Sequence, residues 1–176
     1  MPNFMRSEKQ PSGHRIALFL LSTGCRLNEV LSARWEDVDV EKRVLVIRAK
    51  NSKSKRIRSV PLNESALDVL VSLGTKDKFM EVFVNHRTGQ AYTAITKVWH
   101  RIRAKAGLPK LRLHDLRHQY ASNLVNGGRT LYEVQMILGH SDPKVTMRYA
   151  HLSSKALQEA ADTASLPVQR GYAVSG

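Results

Sequence analysis

The spacing of apolar residues changes period twice along this chain, and that change limits the fold it can adopt. His14 to Thr23 is apolar on most sides, the pattern of a central helix, and Gly24 stands where a helix C-terminus favours glycine. Leu27, Val30 and Leu31 fall at i, i+3 and i+4, predicting a second helix from Arg26 to Ala33. The period then shortens. Residues 43–48 are short and β-branched, the polar run 50–55 follows, and 56–60 alternate until Pro61 stops them, which predicts an antiparallel hairpin with a basic connection. Residues 82–85 give a third strand, ended by the Thr88-Gly89 turn. Asn63 caps a helix reaching Leu73, with Ala66, Leu67 and Leu70 inward.

Helical spacing returns after Thr93. Helices are expected over 93–106, 114–126 and 130–138, each stopped by glycine. Asp142 and Pro143 supply an N-cap and first-turn pair for a helix carrying Tyr149, and a last helix spans 153–162. The expected fold is mainly α with a small three-stranded antiparallel β-sheet. Residues 1–12 read as an N-terminal tail or linker remnant, 13–152 as the folded domain, and 153–176 as a C-terminal helix and flexible tail.

Composition narrows the function classes. A hydrophobic content of 42% supports a real core, and the single Cys25 excludes an internal disulfide framework and a cysteine zinc ribbon. The longest apolar stretch, 16–21, falls well short of the roughly 18 residues of a membrane span, and the start lacks a signal-peptide pattern. A soluble, cytoplasmic protein with no membrane contact is expected. The 28 Lys and Arg outnumber the 15 Asp and Glu, leaving a net charge of +13 that favours a polyanionic partner, commonly nucleic acid.

Three segments carry residues suited to chemistry. In Leu113-His-Asp-Leu-Arg-His-Gln-Tyr120, His114 and Arg117 lie three apart on one helical face, and Leu113, Leu116, Tyr120 and Leu124 share another. A rigid support for a phosphate grip and a solvated face with incidental charges both fit this segment. His114 and His118 are spaced like a helical zinc pair, but no third ligand accompanies them, so no metal is expected. In Thr23-Gly-Cys-Arg-Leu-Asn-Glu-Val30, Arg26 follows a glycine turn at the head of a helix, where backbone N–H groups favour anions. Glu29, one turn on, either orients Arg26 for function or simply pairs with it at the surface. His140 follows Leu138-Gly139, and Tyr149 comes nine residues later; singly, these read equally as a capping histidine and a core tyrosine.

Taken in order, these strings resemble the tyrosine recombinase (phage integrase) family. The resemblance covers residues 13–152 and rests on Thr23-Gly-Cys-Arg-Leu-Asn-Glu-Val, the basic turn ending in Val60-Pro-Leu, His114-Asp-Leu-Arg-His, Leu138-Gly-His-Ser and Thr146-Met-Arg-Tyr-Ala-His. It implies the catalytic-domain fold of that family and a site of Arg26, Lys50, His114, Arg117, His140 and Tyr149, with Glu29 and Asp115 in support. Tyr149 is then the nucleophile that attacks a DNA phosphodiester, leaving a 3′-phosphotyrosyl link and a free 5′-hydroxyl. No ATP, metal or other cofactor is implied. Two arginines suit the charge that gathers on the phosphoryl oxygens, and a tyrosine of ordinary pKa near 10 needs a base or a strong field. His114 is the expected base, Lys50 the proton donor to the leaving oxygen, and His140 a hydrogen-bond donor to the phosphate.

Double-stranded DNA is the expected partner, contacted mostly at phosphate by Lys53, Lys55, Arg56 and Arg58 of the hairpin and by Lys97, Arg101 and Arg103 of a helix beside Trp99. Other recombinase protomers are implied as well: four on two duplexes, with the C-terminal helix able to dock on a neighbour. The location that follows is cytoplasmic and nucleoid-associated, and the source a mobile genetic element or chromosome. The family usually adds an upstream helical DNA-clamping domain. With residues 1–12 alone preceding the first helix, that domain is expected to be absent here. A type IB-like topoisomerase and a non-catalytic DNA-binding regulatory module are the alternatives.

Overall fold

The computed structural model describes residues 12–51 and 56–153, together with 161 and 163. Helix α1 (Ser12–Thr23) packs against four other helices of the fold, because Ile16, Phe19 and Leu20 form an apolar stripe that is completely buried. Phe19 meets Phe83 edge-on, with ring centroids 5.3 Å apart. Gly24 ends α1 with φ +64°, a left-handed conformation, and its N–H bonds the Leu20 carbonyl at 2.9 Å. A Cβ at this position would strike the Tyr120 ring and come within 2.8 Å of Leu138 Cδ2, so both backbone and space require glycine.

Helix α2 (Leu27–Leu31) is shorter than its periodicity predicts at both ends. Arg26 is its extended N-cap, and the chain leaves the helix at Ser32 to pair with the segment around residue 81. Val82 donates to the Ala33 carbonyl at 3.0 Å and Trp35 to that of Met80 at 2.9 Å. Strands β1 (Val38–Asp39), β2 (Val44–Ile47) and β3 (Arg58–Pro61) then form the antiparallel sheet in that order. Val38 pairs with Leu45, Leu45 with Val60, and Ile47 with Arg58.

The three-stranded sheet is therefore present, but its third member is not the expected 82–85. That segment gives β4 (Val84–Asn85), which pairs with β5 (Gln90–Ala91) across the Thr88-Gly89 turn as a separate two-stranded ribbon. The reason is local: a few residues suffice to fold 38–39 back onto β2, with Asp39 accepting from the Lys42 N–H at 2.8 Å. Val82, Phe83 and Val84 serve as buried core instead.

Helix α3 (Glu64–Leu73) starts at Asn63, whose side chain accepts from the Ala66 N–H at 2.9 Å. Helix α4 (Thr96–Lys105) begins later than Thr93; its first turn closes from Trp99 N–H to the buried Ile95 carbonyl at 2.7 Å. Helices α5 (Leu113–Asn126) and α6 (Leu131–Leu138) follow, the latter opened by a Thr130–Glu133 capping box. Helix α7 (Pro143–Met147) is capped by Asp142 and ends before Tyr149, contrary to the expected helix through that residue. The Tyr149 N–H bonds three residues back to Thr146 at 3.0 Å, tightening the turn and carrying the ring into a second core of Tyr120, Ala121, Val125, Val134 and Leu138.

Of the helix expected over 153–162 only isolated residues are described, and Lys53 and Lys55 lie outside the described residues. Among the described residues no helix is long and apolar enough to cross a membrane. Gly24→Ala is predicted to lower unfolding free energy by about 2–5 kcal/mol, combining left-handed strain with overpacking against Tyr120 and Leu138. Urea unfolding followed by circular dichroism measures it.

Candidate active site

Arg117 lies one helical turn past His114 on α5, and its side chain enters the protein rather than the solvent, with 3% of the residue exposed. Nη1 donates to the Gly24 carbonyl at 2.6 Å and Nη2 to that of Leu138 at 2.7 Å. Each is a carbonyl at a helix end, a group that helix geometry leaves unpaired. Among the described residues no carboxylate forms an ion pair with this guanidinium. Burial, then repulsion from Arg26, lowers its pKa to about 10, which still leaves it charged at neutral pH.

Arg26 reaches the same region from the head of α2. Its own N–H and Nη1 bind the two oxygens of Glu29 at 2.8 and 2.9 Å, and Nη2 donates to the Gly139 carbonyl at 3.4 Å. Glu29 has a side chain only 1% exposed and takes a second arginine, Arg58, through Nη2 at 2.8 Å. The Arg58 side chain is 10% exposed, and its Nε and Nη1 are buried without a hydrogen-bond partner among the described residues. It runs directly under Gly139, where φ is +66° and any Cβ would collide with Arg58 Nε and Cδ. The expectation that Arg58 lines the outer hairpin is therefore corrected: it forms the floor of the site. The signal was present in the strand alternation, since Arg58 shares a face with Val60 and is the cross-strand partner of Ile47, both buried.

Arg26, Glu29 and Arg117 line a cleft of about 660 Å³ together with Asn28, Lys50 and His114, among others. Lys50 is exposed at its rim, on a single 3-10 turn over Ala49–Asn51. His140 follows Gly139 directly, and its Nδ1 lies 2.8 Å from the Thr146 hydroxyl. Burial, then Arg117 and Arg26, depresses the His140 pKa to about 4.

Tyr149 is 5% exposed, and burial raises its pKa against the opposing pull of Arg148 and Arg117. Its hydroxyl meets Nδ1 of His118 at 2.5 Å. The group on the tyrosine is thus His118, whereas sequence reasoning gave that place to His114. His114 sits behind it, ring edge to ring face with His118 at a centroid distance of 4.5 Å. The spacing of four residues that suggested a zinc pair had already placed the two rings on one face. Burial lowers the pKa of both.

The other expected residues divide by exposure. Asp115 caps α5, accepting from Arg112 N–H and Nη2 at 2.8 Å each, and bonds none of the six residues above. Arg103 is tied to the Leu111 carbonyl at 3.0 Å, while Lys97, Arg101 and Arg56 are exposed. No group of three or more His, Cys, Asp or Glu among the described residues is placed to hold a metal ion.

Residues 3–156 match the Phage integrase family, and the chain belongs to that family. It is 32% identical over 152 residues to the integrase of Salmonella phage P22, spanning 80% of this chain and 39% of that protein. It is likewise 32% identical to tyrosine recombinase XerD of Vibrio cholerae serotype O1, spanning 80% of this chain and 49% of the relative. The chain thus spans half or less of the length of these relatives. The catalytic domain of bacteriophage HP1 integrase superimposes with a TM-score of 0.63 at 29% identity, covering 88% of this chain and 84% of that one. The Tn1549 transposon integrase, solved with circular intermediate DNA, shares the fold with a TM-score of 0.70 at 22% identity, covering 86% and 59%.

Glu29→Gln removes the one carboxylate between Arg26 and Arg58 and should cost about 3–5 kcal/mol, against about 1 kcal/mol or less for Asp115→Asn at its more exposed pair; paired denaturation curves compare them. Stability should also fall on acidification. His140 titrates near 4 when folded and near 6.5 when unfolded, so the unfolded chain takes up the extra proton as pH drops below 6.5. The stabilisation is complete above 6.5 and lost as pH falls through 4; thermal melts from pH 8 to 4, with His140→Gln showing a shallower slope, test it.

Proposed function

We propose that this chain is the catalytic domain of a site-specific DNA recombinase, with Tyr149 as nucleophile. The observation that carries this reading is the meeting of Arg26 and Arg117 at one cleft, both bonded to the turn that leads into His140, with Tyr149 bonded to His118, whose ring packs on the cleft's His114. Two fixed guanidiniums match the charge that develops on the non-bridging oxygens of a phosphorane. Tyr149 Oη attacks the phosphorus and passes its proton to His118, the base in contact with it. The phosphorus–5′-oxygen bond breaks, and Lys50 protonates the departing 5′-oxygen. The enzyme then holds a 3′-phosphotyrosyl link that keeps the bond energy, so a 5′-hydroxyl of a partner strand reverses the step without ATP or metal.

Double-stranded DNA is the substrate in this reading, gripped at phosphate by the exposed Arg56, Lys97 and Arg101, with Lys53 and Lys55, outside the described residues, adding positive charge in the sequence between β2 and β3. Other protomers complete the assembly on two duplexes, and segments outside residues 13–152 supply further DNA clamping and protomer exchange. The relatives named integrase and XerD and the DNA-bound Tn1549 integrase support the same class of partner.

The test is a covalent-adduct assay in EDTA on nicked duplexes carrying candidate sites, resolved in SDS. An SDS-resistant adduct that disappears in Tyr149→Phe while DNA binding persists is the expected result; an adduct retained by the Phe variant sinks the nucleophile assignment. Lys50→Ala should slow adduct formation by about 10²–10⁴-fold with unchanged stability, since Lys50 is exposed. A substrate with sulfur at the bridging 5′ position, which departs without a proton, should restore that rate.

A further inference from the structure

Thr146 is the buried polar residue of this region that the proposed chemistry leaves unused. Its side chain sits in the last turn of α7 with 2% of the residue exposed. Among the described residues its hydroxyl bonds a single group, Nδ1 of His140, at 2.8 Å. An isolated distance leaves two arrangements open, because a neutral imidazole carries one proton and either nitrogen can hold it. The surroundings decide between them.

If Nδ1 carried the proton and donated it, the hydroxyl would be the acceptor and its own proton would be buried without an acceptor, a costly state. If the hydroxyl donates to Nδ1, every proton in the pair is used and Nε2 holds the imidazole hydrogen. A doubly protonated ring would again strand the hydroxyl proton. It would also add a cation beside Arg117, Arg26 and Arg148, with His118 close by and no carboxylate among the groups that shift it. His140 is accordingly neutral at physiological pH, and its tautomer determines whether a donor or a lone pair meets an incoming anion.

We infer that Thr146 is a positioning residue that fixes the His140 tautomer, donating to Nδ1 so that Nε2–H is held ready to donate to a phosphoryl oxygen. The inference rests on the reading of the cleft as a phosphodiester site. With Nε2 bare, its lone pair would face the oxygen and repel it. With Nε2–H in place, the histidine adds a neutral donor to the two arginine cations and exchanges no proton during the reaction.

Long-range ¹H–¹⁵N spectra of the full 176-residue chain test this directly, with the His140 signals assigned by their loss in His140→Gln. Wild type and Thr146→Ser should both show a pure Nε2–H pattern, and Thr146→Val should gain an Nδ1–H population. An Nδ1–H pattern in wild type, or a ratio unchanged in the Val variant, overturns the inference. Adduct formation on an active DNA site should slow about tenfold in Thr146→Val and recover in Thr146→Ser, as expected for one lost hydrogen bond. The two readings fail separately. Adduct formation independent of Tyr149 would fell the nucleophile assignment and leave the tautomer result standing, whereas a Val variant that reacts at the wild-type rate would fell the role of Thr146 alone.

Discussion

The buried guanidinium of Arg117 joins two segments that are 114 residues apart at their ends, the turn after α1 and the turn after α6, by donating to the carbonyls of Gly24 and Leu138. Each carbonyl belongs to a helix terminus that would otherwise be unpaired inside the protein. One side chain thereby satisfies both and fixes how Arg26 and His140, the residues just beyond those turns, stand to each other. Gly24 and Gly139 are the backbone counterparts of this bond. Gly24 admits the Tyr120 ring and Leu138, and Gly139 admits the Arg58 side chain, so both turns close against side chains with no room for a Cβ.

Charge balance in the site is deliberately uneven in physical effect. Arg26, Arg58 and Arg117 converge there, and Glu29 is the carboxylate bonded to two of them. Burial, then the positive field of Arg117 and Arg26, depresses the pKa of His140, while Arg148 and Arg117 oppose the burial that raises that of Tyr149. A site arranged this way stabilises an anion on arrival without reorganising, because its donors are already held by backbone carbonyls and by Glu29. The +13 net charge acts at longer range, through exposed residues such as Arg56, Lys97 and Arg101.

Much of the fold was legible from local rules. Glycine stops, the Asn63 and Thr130 caps and the Asp142-Pro143 start act within one turn, so the helices fall close to their expected bounds. Local rules give way where a distant segment competes. Ala33 leaves α2 because Val82 needs its carbonyl, and 84–85 pairs with 90–91 because the sheet edge is filled by 38–39. Periodicity measures which face of an element is apolar and carries no term for such pairings. Tyr149 left its helix for the same reason, drawn into the second core by Tyr120 and Leu138.

The sequence by itself determined the element types, the excess of positive charge and which residue types are available for phosphate chemistry, since each is a property of composition or of spacing within a few turns. Tertiary structure decided which partners those residues take. It put His118 rather than His114 on the Tyr149 hydroxyl, turned Arg58 from an apparent surface cation into the floor beneath Gly139, and set Thr146 against His140. These outcomes depend on distances across helix and strand interfaces, and close packing fixes such distances only when all the elements are in place together.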